Sequence, residues 1–513
     1  MKTDIILAID IGTTSTKTLG YDKEGTIWAE VEEEYPLYSP EPSRKEQDPE
    51  EIYQAVTNTV KAVATEVTTK GGAISGVGFS AAMHSILAVD QDGKPLTMAL
   101  TWADQRSIKE VEELQSGNGH EIYLRTGTPL HPMSPLSKLM WMNRNEPELF
   151  QAVYKWISIK EYVFYRLFHR YIVDYSIASA TGLFNLEALD WDEEALDVAG
   201  ISKEKLSEPV PTTHVLTELS SAKGEELGLE AGTPFILGAS DGVLANIGVG
   251  ALHPGSVACT IGTSGAIRTV VDKPTVDPKG RIFCYALTED KWVIGGPINN
   301  GGISFRWVRD NLFPDIDKEA AVNGVSAYEE LTTRAANIQP GSNGLLFLPY
   351  LTGERAPFWD SDTKGVFFGL TLDHNRNHMI RSVLEGVMFQ MYSVAIALIE
   401  AGVEPVEFRA GGGFAKSDVW RQIMADMFET ELVIPESHQG SCLGAAWLTM
   451  KALNMIEDLS SVNDIIHTKV KHSPIPENVT IYRKLKPIYL RLARKLPAEF
   501  KAISEVQRDL AKQ

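Results

Sequence analysis

Two stretches far apart in the chain repeat one unit: "LAIDIGTTSTK" (7–17) and "VACTIGTSGAI" (257–267). Ile11-Gly12-Thr13-Thr14 aligns with Ile261-Gly262-Thr263-Ser264, each time between two strand-like segments. Repetition of a whole strand–turn–strand unit constrains the fold more than local propensity does, because both copies must build the same local structure. It predicts two similar domains, placed at 1–248 and 249–513 and facing each other across a cleft. The length of 513 residues agrees, since single cores stop growing near ~250–300 residues.

Around the first copy, "IILAID", "STKTLGYD" and "IWAEVEEEYP" read as strands. "DPEEIYQAVTNTVKAVATEV" reads as a helix with Ile52, Val56, Val60 and Val63 on one side, and "ISGVGFS" as a buried strand ending at Ser80. Residues 107–230 are helix-rich with aromatic anchors Trp141, Trp156, Tyr162 and Phe164, before the strand "PFILGASDG". The second half runs through a helical stretch at 374–402, the strand "VEFRAGGG", the helix "SDVWRQIMADMF" and a packed terminal helix from about 481. The class is α/β.

A net charge of −20 argues against a nucleic-acid partner and against attachment to an anionic membrane surface, while leaving room for a small anionic substrate in a local basic pocket. No apolar stretch reads as long enough to cross a bilayer, and the first apolar run breaks at Asp10, unlike a signal peptide. Cys259, Cys284 and Cys442 are too few and too scattered for a disulfide framework or a zinc site. A cytoplasmic protein is expected. Oligomeric state is open, a homodimer included.

A carboxylate directly after the apolar run 5–9 is costly unless it faces water or a cation. In a Gly-Thr-Thr turn, Gly12 lets a ligand approach the backbone, Thr13, Thr14 and Ser15 offer amide and hydroxyl donors to phosphate, and Lys17 adds charge. Asp10 is then the expected Mg²⁺ residue, acting through water. Gly262 and Thr263 repeat the arrangement, so two such turns can hold the phosphates of a nucleotide. "AGGGFAKS" (410–417) is a third glycine loop, with Gly412 and Gly413 able to lie against a phosphate or flat ligand, or simply to turn a strand into a helix. Gly302 in "NNGGISFRW" is a weaker instance that also reads as a helix start. Asp241, ending an apolar strand between the two repeats, suits a general base that takes the proton of an attacking hydroxyl, and is a second candidate at the metal; the alternative is a helix cap. His84, Trp102, Asp104 and Arg106 suit a polyhydroxylated ligand, although Asp-x-Arg is also a common local ion pair. Together these residues describe an ATP-dependent kinase of a polyol-like substrate.

These motifs resemble the FGGY carbohydrate kinases of the actin/Hsp70-like ATPase superfamily. The resemblance covers about residues 5–455, with "MSPLSKLMWMNRN" (133–145), "GERAPFWD" (353–360) and "GVFFGLTLDHNRNHMIRSVLE" (365–385) in the family's order. It implies two RNase H-like domains that close on ATP-Mg²⁺ and a sugar, with Gly412, Gly413 and Lys416 near the adenosine and Asp241 as the base. Met83-His84 is similar to the pair that contacts substrate in xylulose kinases, and no Arg-Glu pair of the glycerol-kinase type stands there. "SAAMHSILAVD" with "LTWADQRS" is most similar to the branch acting on gluconate, implying D-gluconate + ATP → 6-phospho-D-gluconate + ADP. Arg106 or Lys138 would then offset the carboxylate. A ketose such as xylulose is the neighbouring alternative; a non-catalytic actin-like ATPase or a sugar-binding module would not need Asp241.

Overall fold

The computed structural model describes residues 2–436 and 440–510. The chain forms two compact units, neither contiguous in sequence. Met1–Leu252, Val270–Ile294 and Gln439–Ile466 make the first; His253–Thr269, Gly295–His438 and His467–Gln513 make the second.

In the first unit, β1 (Asp4–Ile11), β2 (Ser15–Tyr21), β3 (Ile27–Glu34), α1 (Pro49–Thr69) and β4 (Ala73–Ala81) follow one another. Two helices that bear on the site come next, α2 (Pro135–Asn145) and α3 (Ile159–Phe168), then β5 (Val215–Leu216), β6 (Phe235–Ser240) and α4 (Asp241–Gly248). The sheet order is β5-β6-β4-β1-β2-β3, with β1, β4 and β6 parallel. Both faces of β1 are covered, which is why its sequence is almost continuously apolar. Ile5, Leu7, Ile9 and Ile11 join a core with Ile52, Val56, Val60 and Val63 of α1. Ile6 and Ala8 point the other way, into a core with Cys442, Ala445 and Ala446 of the helix Gly440–Ala452. That helix lies very close: a Cβ on Gly78 would come within 1.7 Å of Thr449 Oγ1. Asp48 starts α1 by accepting the amide of Glu50.

The second half of the chain has β7 (Ser256–Ile261), β8 (Gly265–Val271), β9 (Trp292–Ile298), α5 (Gly302–Leu312), α6 (Arg376–Glu400), β10 (Glu407–Gly411), α7 (Asp418–Phe428), β11 (Glu431–Pro435) and β12 (Thr468–His472). Six strands run β9-β8-β7-β10-β11-β12, in the same order as β3-β2-β1-β4-β6-β5, and a seventh, Phe283–Ala286, adds to the sheet beside β9. The repeat is therefore one of topology, down to the antiparallel edge strand closing each sheet. Its register slips at the turn: Ile11 faces Thr16, whereas Ile261 faces Gly265. The second turn is one residue tighter, which a fixed sequence offset did not anticipate.

One expectation is corrected. α6 is long and apolar enough to cross a membrane, with mean hydropathy 1.6 over its most apolar window, yet 83% of that window is buried inside the protein. It is a core helix, apolar all round because it is enclosed all round.

Candidate active site

The period-two alternation of β1 that buries Ile6 and Ala8 carries Asp10 to the same face, at the strand's carboxyl end. Asp10 pairs in register with Ser80 of β4 and Lys17 of β2, and Lys17 pairs with Glu32 of β3, so these side chains form a row. Ser80 Oγ donates to Asp10 Oδ1 at 2.6 Å and Ser441 Oγ to Oδ2 at 2.8 Å. Lys17 is committed within the row, 3.2 Å from Glu32 and 3.5 Å from Glu30. Burial alone would lower its pKa; those two carboxylates outweigh it and hold the ammonium above its ordinary value. Ser15 donates to Glu32 at 2.7 Å.

The turn between β1 and β2 is held from its carbonyl side. Tyr35 donates its hydroxyl to Gly12 O at 2.7 Å and its amide to Thr14 O at 3.0 Å, while Gln47 Nε2 donates to Thr13 O at 2.7 Å. Trp102 Nε1 donates to Thr13 Oγ1 at 2.9 Å, tying the turn to the candidate acceptor loops.

Asp241 is the first residue of α4, immediately beyond β6, and accepts the Gly242 amide at 2.6 Å. The cap reading of Ser240-Asp241-Gly242 thus describes the backbone, and it leaves the carboxylate at a helix N-terminus, where negative charge is favoured. Ala239 aligns with Ser80, which aligns with Asp10, so Asp10 and Asp241 stand at the carboxyl ends of parallel strands that lie two strand spacings, ~10 Å, apart. Ligands of open α/β sheets bind at that edge. Beneath Asp241, Lys160 Nζ sits 2.6 Å from Asp174 Oδ2 and donates to Leu237 O at 3.1 Å. The Ser240 amide donates to Ser176 Oγ at 3.1 Å.

The loops bearing Met83, His84 and Trp102 belong to the same unit. Met83 is half-buried against the second core. His84 adopts φ 68°, a left-handed conformation unusual for a side-chain-bearing residue. Its Nδ1 lies 2.6 Å from Ala180 O; since a carbonyl only accepts, Nδ1 carries a proton. Asp104 is fully buried and spent on the backbone of Lys45 at 2.9 Å and on Arg106, whose Nε is at 2.8 Å. Arg106 also binds Glu46. The ion-pair reading of Asp104 and Arg106 therefore describes their geometry. Lys138 places its three donors on backbone carbonyls, which overturns the expectation that it meets a substrate carboxylate.

In the second unit, Gly262, Thr263, Gly302, Gly413 and Lys416 line one cavity of about 540 Å³. The first two are joined to α5, with the Gly302 amide donating to Gly262 O at 2.7 Å and the Ile303 amide to Thr263 O at 3.0 Å. Gly412 has φ 89°, and a Cβ there would come within 2.5 Å of Ile261 O, so only glycine lets this loop rest on the end of β7. A short 3₁₀ turn, Gly413–Lys416, separates the glycines from α7. Phe305, Tyr328 and Trp420 complete the walls. These aromatics went unnoticed in the sequence because an aromatic at helical spacing reads as core. Ser441, which grips Asp10, lies remote in the chain and gives no local signal.

Residues 5–248 match the N-terminal domain of the FGGY family of carbohydrate kinases and residues 257–453 its C-terminal domain. A gluconokinase of Bacillus subtilis (strain 168) is 50% identical over 513 residues, 99% of each chain. The crystal structure of a gluconate kinase from Lactobacillus acidophilus superposes with TM-score 0.92 at 37% identity, covering 98% of this chain and 100% of that one. A ligand-bound xylulose kinase from the same organism gives 0.93 at 37% identity, with equal coverage.

Proposed function

Because the chain belongs to the FGGY family of carbohydrate kinases, we propose that it phosphorylates D-gluconate with ATP, giving 6-phospho-D-gluconate and ADP. The observation that carries the choice of acceptor is the 50% identity to a gluconokinase over 99% of both chains. In this reading residues 1–248 supply the acceptor chemistry and 249–513 the adenosine chemistry.

The acceptor hydroxyl attacks the γ-phosphorus, its proton passes to the Asp241 carboxylate, and the bond to the ADP oxygen breaks. Such transfer depends on positioning and charge neutralisation more than on covalent help from the protein. His84 contacts the substrate, and Trp102 walls the site while steadying Thr13. Thr13 and Thr14 receive phosphate, as do Gly262 and Thr263, while Gly302, Gly412, Gly413 and Lys416 bound the nucleoside. Ser15, Lys17, Asp104 and Arg106 act by shaping the turn and the loop.

Asp10 fits Mg²⁺. Among the described residues each oxygen accepts one serine hydroxyl, and a carboxylate oxygen of this half-buried group has further lone pairs for a cation. Among the described residues no three His, Cys, Asp or Glu side chains cluster as a protein cage, and Mg²⁺ characteristically needs only one or two carboxylates beside phosphate and water. When bound it would neutralise charge on the phosphate oxygens, and Asp241 would be the second carboxylate available to it. The three free cysteines, all buried, accord with a cytoplasmic protein.

Xylulose is the second reading, favoured by the xylulose kinase superposition. ADP release with Mg-ATP across gluconate, xylulose, ribulose, ribitol and glycerol decides between them. Turnover confined to gluconate is expected; preference for xylulose would transfer the same machinery to a ketose, and silence on every sugar would defeat the kinase assignment.

A further inference from the structure

Lys138 is left without a role by the mechanism above, although its surroundings are highly organised. It lies on the first turns of α2 and is fully buried. Its Nζ donates to His84 O at 2.9 Å, Thr101 O at 2.7 Å and Met133 O at 2.7 Å. An ammonium has three N–H groups, and here each meets a different loop.

Those loops are the ones that carry the acceptor chemistry. The first bears Met83 and His84, the second leads into Trp102, and the third opens α2. The first two are also paired directly, Ile86 and Leu100 exchanging backbone hydrogen bonds at 3.1 and 2.8 Å, and Ser107 Oγ donates to Pro132 O at 3.3 Å between the second and the third. Thr101 is further tied to Lys45 O at 2.9 Å, and the His84 ring is fixed by Ala180, but among the described residues Lys138 Nζ is the single atom hydrogen-bonded to all three segments. His84 holds a left-handed backbone at φ 68°, a conformation that persists only when its surroundings enforce it.

The charge state is supported by geometry. Burial pulls the Lys138 pKa down to about 7, with Asp104 opposing and Arg106 adding to the fall. His84 and His131 are the remaining titratable side chains on the loops around it. Three carbonyl oxygens converge on the nitrogen, and a neutral amine would satisfy only two of them, so the cradle itself selects the ammonium.

We propose that Lys138 is a positioning residue for the sugar acceptor: its ammonium staples the carbonyls of His84, Thr101 and Met133, and so sets the spacing between the His84 and Trp102 side chains. The inference rests on the reading that these two line the acceptor site. A purely structural lysine would, on removal, weaken the whole protein and both substrates together. The staple predicts a selective defect.

The test compares Lys138→Gln, which keeps two N–H donors, with Lys138→Met, which keeps none, measuring KM for gluconate and ATP separately. Gluconate KM should rise stepwise, a few-fold for Gln and roughly tenfold or more for Met, with ATP KM within about twofold of wild type. Equal rises in both KM values, or unchanged gluconate KM in both folded variants, overturns the proposal. If the Met variant fails to fold, Gln decides alone by the same criterion. If the wild type phosphorylates xylulose and not gluconate, the acceptor assignment fails by itself, and the same series on xylulose still tests the staple.

Discussion

Replacing Lys160 by Met removes one partner of a buried ion pair beneath Asp241, the proposed base. Nζ lies 2.6 Å from Asp174 Oδ2, with the two side chains 3% and 0% exposed. Each charge has its pKa displaced by burial toward neutrality, Lys160 downward and Asp174 upward, and each opposes the other's displacement. Removing the lysine therefore leaves a desolvated carboxylate and frees the carbonyl of Leu237, at a cost of about 3–5 kcal/mol. The double variant Lys160→Met/Asp174→Asn removes both charges. Asn can still cap the helix Tyr175–Ser179, where Asp174 now accepts the Ile177 amide at 2.9 Å. It should recover at least ~2 kcal/mol of the single-variant loss, a coupling typical of groups in direct contact. Urea unfolding of the full chain measures the energies, and hydrogen exchange across 159–168 and 235–240 assigns the loss to this region. A Lys160→Met variant within ~1 kcal/mol of wild type, or a double variant equal to the sum of the singles, would refute the reasoning.

Glu354 gives a pH prediction in the second unit. Burial pushes its pKa up to about 7 despite donors from Asn299, Asn300 and Arg355. A carboxyl raised above its unfolded value holds its proton longer in the native state, so its stabilisation is full below pH ~4.5 and is lost as pH climbs through about 7. Relative to Glu354→Gln, wild-type stability should fall by on the order of 3 kcal/mol between pH 4.5 and 8, and parallel curves would contradict it. Gly412→Ala places a Cβ 2.5 Å from Ile261 O on a backbone at φ 89°. It should cost about 1–3 kcal/mol and weaken ATP binding in calorimetry, and an unaltered ATP affinity would argue that the loop does not bound the nucleoside.

Much of the frame was legible because it follows from periodicity. The apolar run of β1, the α1 stripe at Ile52, Val56, Val60 and Val63, and the Gly-Thr repeat each express a local rule that the tertiary structure keeps. The length of the second turn was not legible, since a hairpin register depends on how the flanking strands pair and not on the turn residues alone. Within the candidate site, sequence singled out Asp10 and Asp241 at strand ends, where the structure has them, yet it was silent on what each side chain would be spent on. Lys17, Asp104 and Arg106 carry the residue types of a ligand site, but neighbouring carboxylates and guanidinium groups reach them within the fold. Lys138 shows the converse: a lysine inside a motif invites an anion, and three carbonyls from separate loops claim it first. Such competition is settled by tertiary contacts, which one sequence does not display.

The account stands most directly on Asp241 as the proton acceptor. The deciding measurement is Asp241→Asn, with ADP formation on Mg-ATP and gluconate measured beside the ATP dissociation constant. Asn preserves shape but is a far poorer base, so turnover should fall by at least ~100-fold while ATP affinity holds. Full turnover in the variant would contradict the account.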